Sequence, residues 1–452
     1  MHGIDKSAGS HSGFPRGVQV AALQGLLSDD EIEFVCRHLG HTWRERVFTP
    51  SVTVRSMVHR ALNPDKSIRS VLADLATTDN RLKQTPADAS WCEARSRLPQ
   101  QLWTELLRQS VQRLEGLTSG EFLYKGRQVF LIDGSTLSMP DTPKLIEHFG
   151  YSSCRHGSSR FPLGRITFIV LAGSNCVWDY RFDDYRTSED AHLHQMWDRI
   201  PRGSICIFDR QFSSFYNLTK LLQRGVDSIS RLHHHRDPCK LISQGRAIGH
   251  NQWLVWLDLV PHRRRKYNDP SLPQRVCVRL IRLELLRKGK PTQIWLVTTL
   301  LDAHCHSGQE IEELYRSRWE IETRIGELKT TLKMNVLRSK GAQAVCHDVA
   351  ATILAYNLLW IVVHQAAKQE QAPVNRISFA SAIKMVLAYS LPLRIARPRQ
   401  RRRVYAQMLS DIARCRNPFR PGRVEPRSIK RNGRQYPWLT IPRALARERC
   451  LS

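Results

Sequence analysis

The segment GRQVFLIDGS, residues 126–135, carries the clearest fold signal, because four consecutive apolar residues run directly into an Asp-Gly pair. A short apolar run that stops at a turn signal predicts a buried strand. Two more strand-like runs follow, GRITFIVLAG at 164–173 and CVWDYRFDDY at 176–185. The sequence therefore predicts three consecutive strands, the first of which ends at Asp133.

Predicted helices and buried strands alternate after these strands. In order, they are a helix at 188–200, a strand at 203–212, a helix at 213–225, a β-rich block with basic loops, a strand at 294–300 and a long helix from about Gly308 to Leu337. Three sequential strands followed by βα units predict an α/β fold. The expected fold is a ribonuclease-H-like mixed sheet flanked by helices, with a β-rich insertion, an N-terminal helical domain and a basic C-terminal region.

The domain boundaries follow from changes in composition and periodicity. We predict a disordered N-terminus at 1–25, a helical N-terminal domain at 26–120, a catalytic core at 121–228 and 294–370, a β-rich insertion at 229–293, and a C-terminal helical and basic tail at 371–452. Residues 391–452 contain 17 Lys and Arg against 3 acidic residues. Their Arg- and Pro-rich runs predict irregular structure that contacts a phosphate backbone, and a merely solvated tail is the alternative.

The overall charge indicates a polyanionic partner. The chain carries 69 Lys and Arg against 41 Asp and Glu, a formal net charge of +28. Nucleic acid is the usual partner of such a chain, whereas a basic membrane-surface protein would need an anchor helix or lipidation signal that we do not find. We expect no signal peptide, and we interpret the apolar stretch from Val349 to His364 as a buried helix too short to span a bilayer. A cytoplasmic location is expected.

Cysteine and histidine spacing gives little support for a metal site. The 11 cysteines include no C-x₂-C pair, so free thiols are the preferred interpretation. His233, His234 and His235, with Cys239 nearby, offer possible ligands. Three adjacent side chains in regular structure cannot all point at one ion, so we predict no metal there.

The long helix has a polar stripe beside an apolar one. At ~100° per residue, Tyr315, Arg318, Glu322 and Lys329 fall within about 60° of one face, and Lys333 rejoins it. A solvated face with i,i+4 ion pairs would explain the stripe. The alternative is a surface whose cations grip a phosphate chain while the carboxylate binds a metal ion.

The segment YRSRWEIETRIGELK, residues 315–329, resembles the Y-x₂-R-x₃-E-x₆-K signature of the insertion sequence four family of bacterial DDE transposases. The resemblance covers roughly residues 125–370. It implies that Tyr315, Arg318 and Lys329 hold the phosphates of a transposon end, while Lys333 is added from the helical wheel alone. It also implies that Trp295 stacks on a flipped base and that Arg231 contacts DNA. Arg210 is a further candidate DNA contact.

The resemblance also implies three acids that bind metal ions and catalyse phosphodiester chemistry. Asp133, Asp209 and Glu322 match the family in their order and in their positions after hydrophobic strands or on the long helix. In a ribonuclease-H-like sheet the strands that precede both aspartates are neighbours, so their carboxylates and Glu322 can share two Mg²⁺ ions, or Mn²⁺ as substitute. Taken singly, Asp133 could be a turn residue and Asp209 an ion-pair partner. The rival acids Asp141, Asp183 and Asp184 lie past turn signals or in a charged edge strand.

Three functions remain open from the sequence. The first is a transposase that binds inverted-repeat ends of double-stranded DNA as a homodimer and moves them by cut-and-paste. The second is a catalytically inactive, repressor-like DNA-binding relative. The third is a ribonuclease-H-like nuclease, which would share the acids but not the phosphate-gripping stripe on the long helix.

Overall fold

A computed structural model describes residues 21–418, except 64–66, 79–83, 119, 155–156, 159–160, 288–289 and 336, together with residues 445, 448 and 449. The chain divides into two compact units, Met1–Arg416 and Asn417–Ser452. Everything below concerns the first unit. The helices are α1 Asp29–His38, α2 Pro50–Leu62, α3 Ile68–Thr78, α4 Asp88–Arg97, α5 Gln100–Leu117, α6 Pro143–Phe149, α7 Glu189–Met196, α8 Phe215–Gln223, α9 Pro238–Ser243, α10 Pro261–Tyr267, α11 Gly308–Arg316, α12 Arg318–Gly326, α13 Ala342–Gln369, α14 Phe379–Ala388, α15 Ser390–Ile395 and α16 Pro398–Arg414.

The described chain has eleven strands, nine of which form one mixed sheet. The eleven strands are β1 Val129–Ser138, β2 Ser153–Cys154, β3 Gly157–Ser158, β4 Leu163–Leu171, β5 Cys176–Asp184, β6 Ile205–Phe208, β7 Asp227–Arg231, β8 Arg246–Gly249, β9 Gln252–Asp258, β10 Arg275–Arg287 and β11 Lys290–Thr298. The sheet order is β5-β4-β1-β6-β7-β11-β10-β9-β8, and β2 and β3 form a separate hairpin. The pairs β1–β6 and β6–β7 are parallel, and the other pairs are antiparallel.

Strand β1 lies between two apolar layers, which explains its unbroken apolar run. Val129 and Leu131 pack in the core on the face covered by α5 and α13. Phe130 and Ile132 pack in the core that includes side chains of α7 and α8. Because successive side chains of a strand point to opposite faces, a strand covered on both sides is apolar at every position. The predicted mixed sheet flanked by helices is confirmed.

The pairing of β1 with β6 sets the position of the two aspartates. Ile132 pairs with Phe208, the last residue of β6, so Asp133 and Asp209 follow directly on neighbouring parallel strands. The prediction that these strands are adjacent is therefore confirmed. Asp133 does not end its strand, however, because β1 continues to Ser138 through antiparallel pairing with β4. One edge of β1 is thus released from β6 just where Asp133 lies.

Helix α13 is the central helix of the unit, as the buried-helix prediction requires. The expectation that this stretch is too short to span a bilayer is wrong, because the helix is long and apolar enough to cross a membrane; 89% of its most apolar window is nevertheless buried inside the protein. The N-terminal helices α2, α4 and α5 pack on it directly, as do α14 and α16. Asp348 of α13 accepts hydrogen bonds from Arg60 at 2.9 Å and from Arg95 at 3.1 Å, which ties α2 and α4 to the helix.

Two predictions of irregular structure are wrong. Residues 21–26 form a 3₁₀ helix in which Ala22 and Leu23 are buried, although residues 1–20 lie outside the described chain. Residues 390–395 and 398–414 are helical. Helix α16 forms because Pro398 is tolerated in its first turn and because the helix buries one apolar face. The buried residues of that face are Met408, Leu409, Ile412 and Ala413. The more distal basic run at 419–444 lies outside the described residues.

The predicted continuous helix from Gly308 to Leu337 is also wrong in detail. It begins at Gly308, but a break at Ser317 separates α11 from α12. A π-helical turn, Glu327–Thr331, then ends the helix six residues before Leu337. Single π turns change the direction of the side chains that follow them. Side chains beyond residue 326 therefore do not follow an ideal helical wheel.

Candidate active site

Asp133 and Asp209 meet at the open edge of β1. Each carboxylate is fixed by a nearby backbone amide: Gly134 N donates to Asp133 Oδ1 at 2.8 Å, and Gln211 N donates to Asp209 Oδ1 at 2.8 Å. Burial raises the pKa of Asp133 to about 6; the Gly134 amide opposes this, and the charge of Asp209 adds to it. The two acids therefore share one electrostatic environment.

Glu322 reaches the same place from α12, which packs against β1. Arg318 Nη2 donates to Glu322 Oε1 at 2.9 Å across one turn of the helix. The charge of Glu322 raises the pKa of Asp133 further, and the charge of Arg318 lowers it. The structure thus brings Asp133, Asp209 and Glu322 together, as the sequence predicts.

Glu189, at the start of α7, is a fourth acid of this cluster that the sequence reasoning missed. Burial raises its pKa to about 7; the charge of Arg165 opposes this shift, and the charges of Asp133 and Asp209 increase it. A Cβ added at Gly134 would lie 2.7 Å from Glu189 Cγ and nearer still to the carboxyl group. Its only signal in the sequence is an acid at the first position of the helix that follows the third strand. Acids are common in the first turn of helices, so this position does not indicate a functional site.

Two of the three rival acids accept local hydrogen bonds, and the third lies near a histidine. Asp141 accepts a hydrogen bond from the Tyr151 hydroxyl at 2.6 Å. Asp184 accepts from the backbone amides of Arg186 and Thr187, which shapes the turn after β5. Asp183 lies 3.6 Å from the Nε2 atom of His192. Asp141 and Asp184 thus have local partners of their own.

Tyr315, Arg318 and Arg231 form a cationic group beside Glu322. Arg318 lies over the rings of Tyr315 and Trp319, with its Cζ atom 5.9 Å and 5.1 Å from their centroids. Burial raises the pKa of the Tyr315 phenol, and the charges of Arg318 and then Arg231 lower it. The two arginines therefore approach the same phenol from α12 and β7.

The two lysines of the predicted stripe lie in different environments. Lys329 Nζ donates to Ser135 Oγ at 2.9 Å and to the Thr136 carbonyl at 3.0 Å, so it binds β1. Burial lowers its pKa. Lys333 follows the π-helical turn with φ +52, in the left-handed region. The helical-wheel argument for Lys333 is therefore wrong, because the helix has ended before this residue.

Arg210 and Trp295 lie at the surface and at the edge of the core respectively. Arg210 is exposed and directly follows Asp209. Trp295 is half-buried, and its ring lies 5.7 Å from that of Trp253, with the planes tilted by 45°. The Cζ atom of Arg282 lies 5.8 Å from the Trp253 ring centroid. These contacts describe a pair of indoles with a cation at one side.

The three adjacent histidines come closer together than the sequence argument allowed. One possible ligand atom from each of His233, His234 and His235 lies within 4.8 Å of the others. The geometric objection assumed regular structure, whereas these residues occupy the turn after β7. The rings of His233 and His234 stack, and the ring of His235 lies tilted against both. The nine cysteines whose side chains the structure describes are free thiols.

Comparisons with known proteins agree with a DNA-cutting site. Residues 124–358, more than half of the chain, match the family described as Transposase DDE domain. Two similar proteins of Escherichia coli (strain K12) are Transposase InsG for insertion sequence element IS4, 25% identical over 405 residues and 88% of each chain, and Putative transposase InsZ, 32% identical over 105 residues, which are 23% of this chain and 35% of the relative.

A solved piggyBac transposase synaptic complex with hairpin DNA covers 89% of this chain and 86% of that one, at 11% identity and a TM-score of 0.45. The family match confirms the predicted DNA transposase. Transposases of this kind act on DNA, and their DDE domains use divalent metal ions. The chain belongs to the DDE-domain transposases.

Proposed function

We propose that this transposase belongs to the insertion sequence four family, binds the inverted-repeat ends of its element, and cleaves and joins DNA at Asp133, Asp209 and Glu322. The observation that carries the proposal is the parallel pairing of β1 with β6, which sets both aspartates at one edge beside α12. The sheet order β5-β4-β1-β6-β7, with three antiparallel strands followed by two parallel ones, supports a ribonuclease-H-like core.

The donor set fits Mg²⁺, with Mn²⁺ as a substitute. Hard divalent cations prefer carboxylate oxygens and keep several positions for water and phosphate. Asp133 and Asp209 each use one oxygen for a backbone amide, which fixes the carboxylates and leaves further lone pairs for a cation. Two bound ions would activate the attacking oxygen and stabilise the leaving oxygen at the phosphate.

The residues around the acids fix their orientation and bind the DNA backbone. Arg318 holds Glu322 in one rotamer, and together with Tyr315 and Arg231 it offers donors for phosphate oxygens. Lys329 joins the π-helical turn that follows α12 to β1 through its two hydrogen bonds. In this proposal Lys329 is a positioning residue, and a phosphate contact would require it to leave these partners.

The DNA substrate is the pair of element ends, bridged by two copies of the chain in a cut-and-paste reaction. A net charge of +28 supports strong backbone binding and association with the nucleoid. Arg210, exposed beside Asp209, extends the cationic surface. Trp295 offers an aromatic plane on which a flipped base can stack.

Cleavage of a supercoiled plasmid that carries the element's inverted repeats tests the proposal. With Mg²⁺, the purified protein should cut at the repeat ends and leave a plasmid without repeats intact. Asp133→Asn, Asp209→Asn and Glu322→Gln should each abolish cutting, whereas Glu313→Gln, an exposed acid of α11, should cut normally. Cutting by Glu322→Gln at the normal rate would contradict the assignment, and equal cutting of both plasmids would indicate a nuclease without end recognition.

A further inference from the structure

We propose that Glu189 is a fourth carboxylate of the metal centre and holds one of the two cations from the α7 side of the sheet. This inference rests on the proposed function, because it adds a ligand to the same centre. It assigns a chemical role to a residue outside the Asp133, Asp209 and Glu322 set.

The sheet geometry places Glu189 across β1 from Glu322. Asp133 shares its face of β1 with Val129 and Leu131, the face on which α13 packs. Gly134 presents the opposite face, and the carboxyl group of Glu189 lies directly against it. Because β6 ends at Phe208, no strand closes the edge of β1 between the two faces at this point. A cation at that open edge is accessible from both sides.

Glycine at position 134 is what allows this approach. Any side chain there would collide with the Glu189 carboxyl group, since a Cβ would lie 2.7 Å from Cγ and closer to the carboxyl carbon. Close approach of a ligand-binding group to backbone is a common reason for glycine inside a strand. The Asp133-Gly134 pair therefore supplies one acid directly and makes space for a second.

In the part of the chain that the structure describes, the Glu189 carboxylate has no partner that explains its position. Within the described residues, it accepts no hydrogen bond and has no cation within 4.0 Å. Its neighbour Asp190 differs, because it accepts a hydrogen bond from Asn217 Nδ2 at 2.9 Å and joins α7 to α8. A half-buried carboxylate normally finds a hydrogen bond or a counter-ion. A divalent cation shared with Asp133 and Asp209 would supply this counter-ion.

Electrostatics around Glu189 point the same way. The negative charges of Asp133 and Asp209 act on it, and the positive charge of Arg165 on β4 opposes them. The guanidinium of Arg165 lies 4.8 Å from the centre of the Tyr185 ring, and its Nε atom has no hydrogen-bond partner among the described residues. The charge of Arg165 thus reduces the electrostatic repulsion among the acids, although Arg165 forms no ion pair with Glu189. Four acids around one edge repel one another until cations bind.

Mn²⁺ binding to the full chain tests the inference separately from activity. Titrations followed by electron paramagnetic resonance would compare wild type with Glu189→Gln, Asp133→Asn and Glu313→Gln. We expect Glu189→Gln to weaken binding of one Mn²⁺ by about tenfold or more, and Glu313→Gln to leave both sites unchanged. In EDTA, Glu189→Gln should melt no lower than wild type, because it removes a repelling charge.

Two outcomes of the Mn²⁺ titrations would contradict different parts of the proposal. If Glu189→Gln binds Mn²⁺ like wild type while Asp133→Asn does not, the role of Glu189 is refuted and the three-acid centre stands. If Asp133→Asn also binds like wild type, the proposed metal centre is wrong, and the assignment of Glu189 falls with it.

Discussion

Arg318 and Glu322 lie one turn apart on α12 and are joined by a hydrogen bond of 2.9 Å between Nη2 and Oε1. The side chain of Arg318 is only 12% exposed, whereas that of Glu322 is 43% exposed. The buried member of the pair is thus the cation, which packs against two aromatic rings, and the more exposed member is the acid. This arrangement makes Arg318 the support that fixes the direction of Glu322.

Arg318→Lys should reduce plasmid cleavage by about 10- to 100-fold, because small displacements of a catalytic group have effects of that size. A lysine keeps the charge but has no planar group to lie over Tyr315 and Trp319 while it holds Glu322. Cleavage rates at saturating DNA would measure the effect. Arg316→Lys, on the exposed side of α11, serves as the matched control. An Arg318→Lys enzyme that cuts like wild type would show that Glu322 needs no such support.

Lys329→Met should destabilise the DNA-free protein by about 1–3 kcal/mol, because it leaves Ser135 and the Thr136 carbonyl without their cationic donor. Chemical denaturation without DNA would measure the change. Lys333→Met is the control, since Lys333 is exposed beyond the end of the helix. If Lys329→Met leaves stability unchanged but reduces the salt dependence of DNA binding, Lys329 contacts phosphate and does not act through β1.

The sequence predicts the aspartates because each follows an apolar strand directly, and parallel neighbours align such ends. Glu189 could not be found this way, since its proximity to Gly134 depends on how α7 packs on the sheet. Lys333 was misplaced because the helix ends at Thr331, two residues before it, and Lys333 itself adopts a left-handed backbone conformation. The α16 helix was missed because its Arg-rich sequence hides an apolar face that only packing reveals.

Asp348→Asn should destabilise the fold by about 3 kcal/mol, because removing one partner of a buried ion pair leaves the other charges uncompensated. Asp348 balances Arg60 and Arg95, and both guanidinium groups are nearly buried. Urea denaturation of the full chain would measure the loss. Asp198→Asn, whose side chain is 86% exposed, should change stability little. Equal effects of the two substitutions would mean that the buried network does not hold the N-terminal helices to α13.

Acidification should destabilise the protein through His347, which is buried in α13 and accepts a hydrogen bond from Trp103 Nε1 at 2.7 Å. Burial lowers its pKa from 6.5 to about 4, and the charge of Arg95 adds to the shift while Asp348 opposes it. Because the folded pKa is depressed, the stabilisation is complete above pH 6.5 and is lost as the pH falls toward 4. Between pH 7 and pH 5 the loss should be about 2 kcal/mol.

Urea denaturation at pH 7 and pH 5 tests this, with His347→Asn as the variant. Its amide oxygen can accept from Trp103 but does not titrate, so the pH dependence of its stability should be smaller than that of wild type by about 2 kcal/mol. His250→Asn is the matched control, because His250 is exposed. Equal pH dependence in wild type and His347→Asn would show that the folded chain protonates His347 as readily as the unfolded chain does, so that burial does not lower its pKa. The difference between the two proteins isolates the contribution of His347 from the titration of the carboxylates near Asp133.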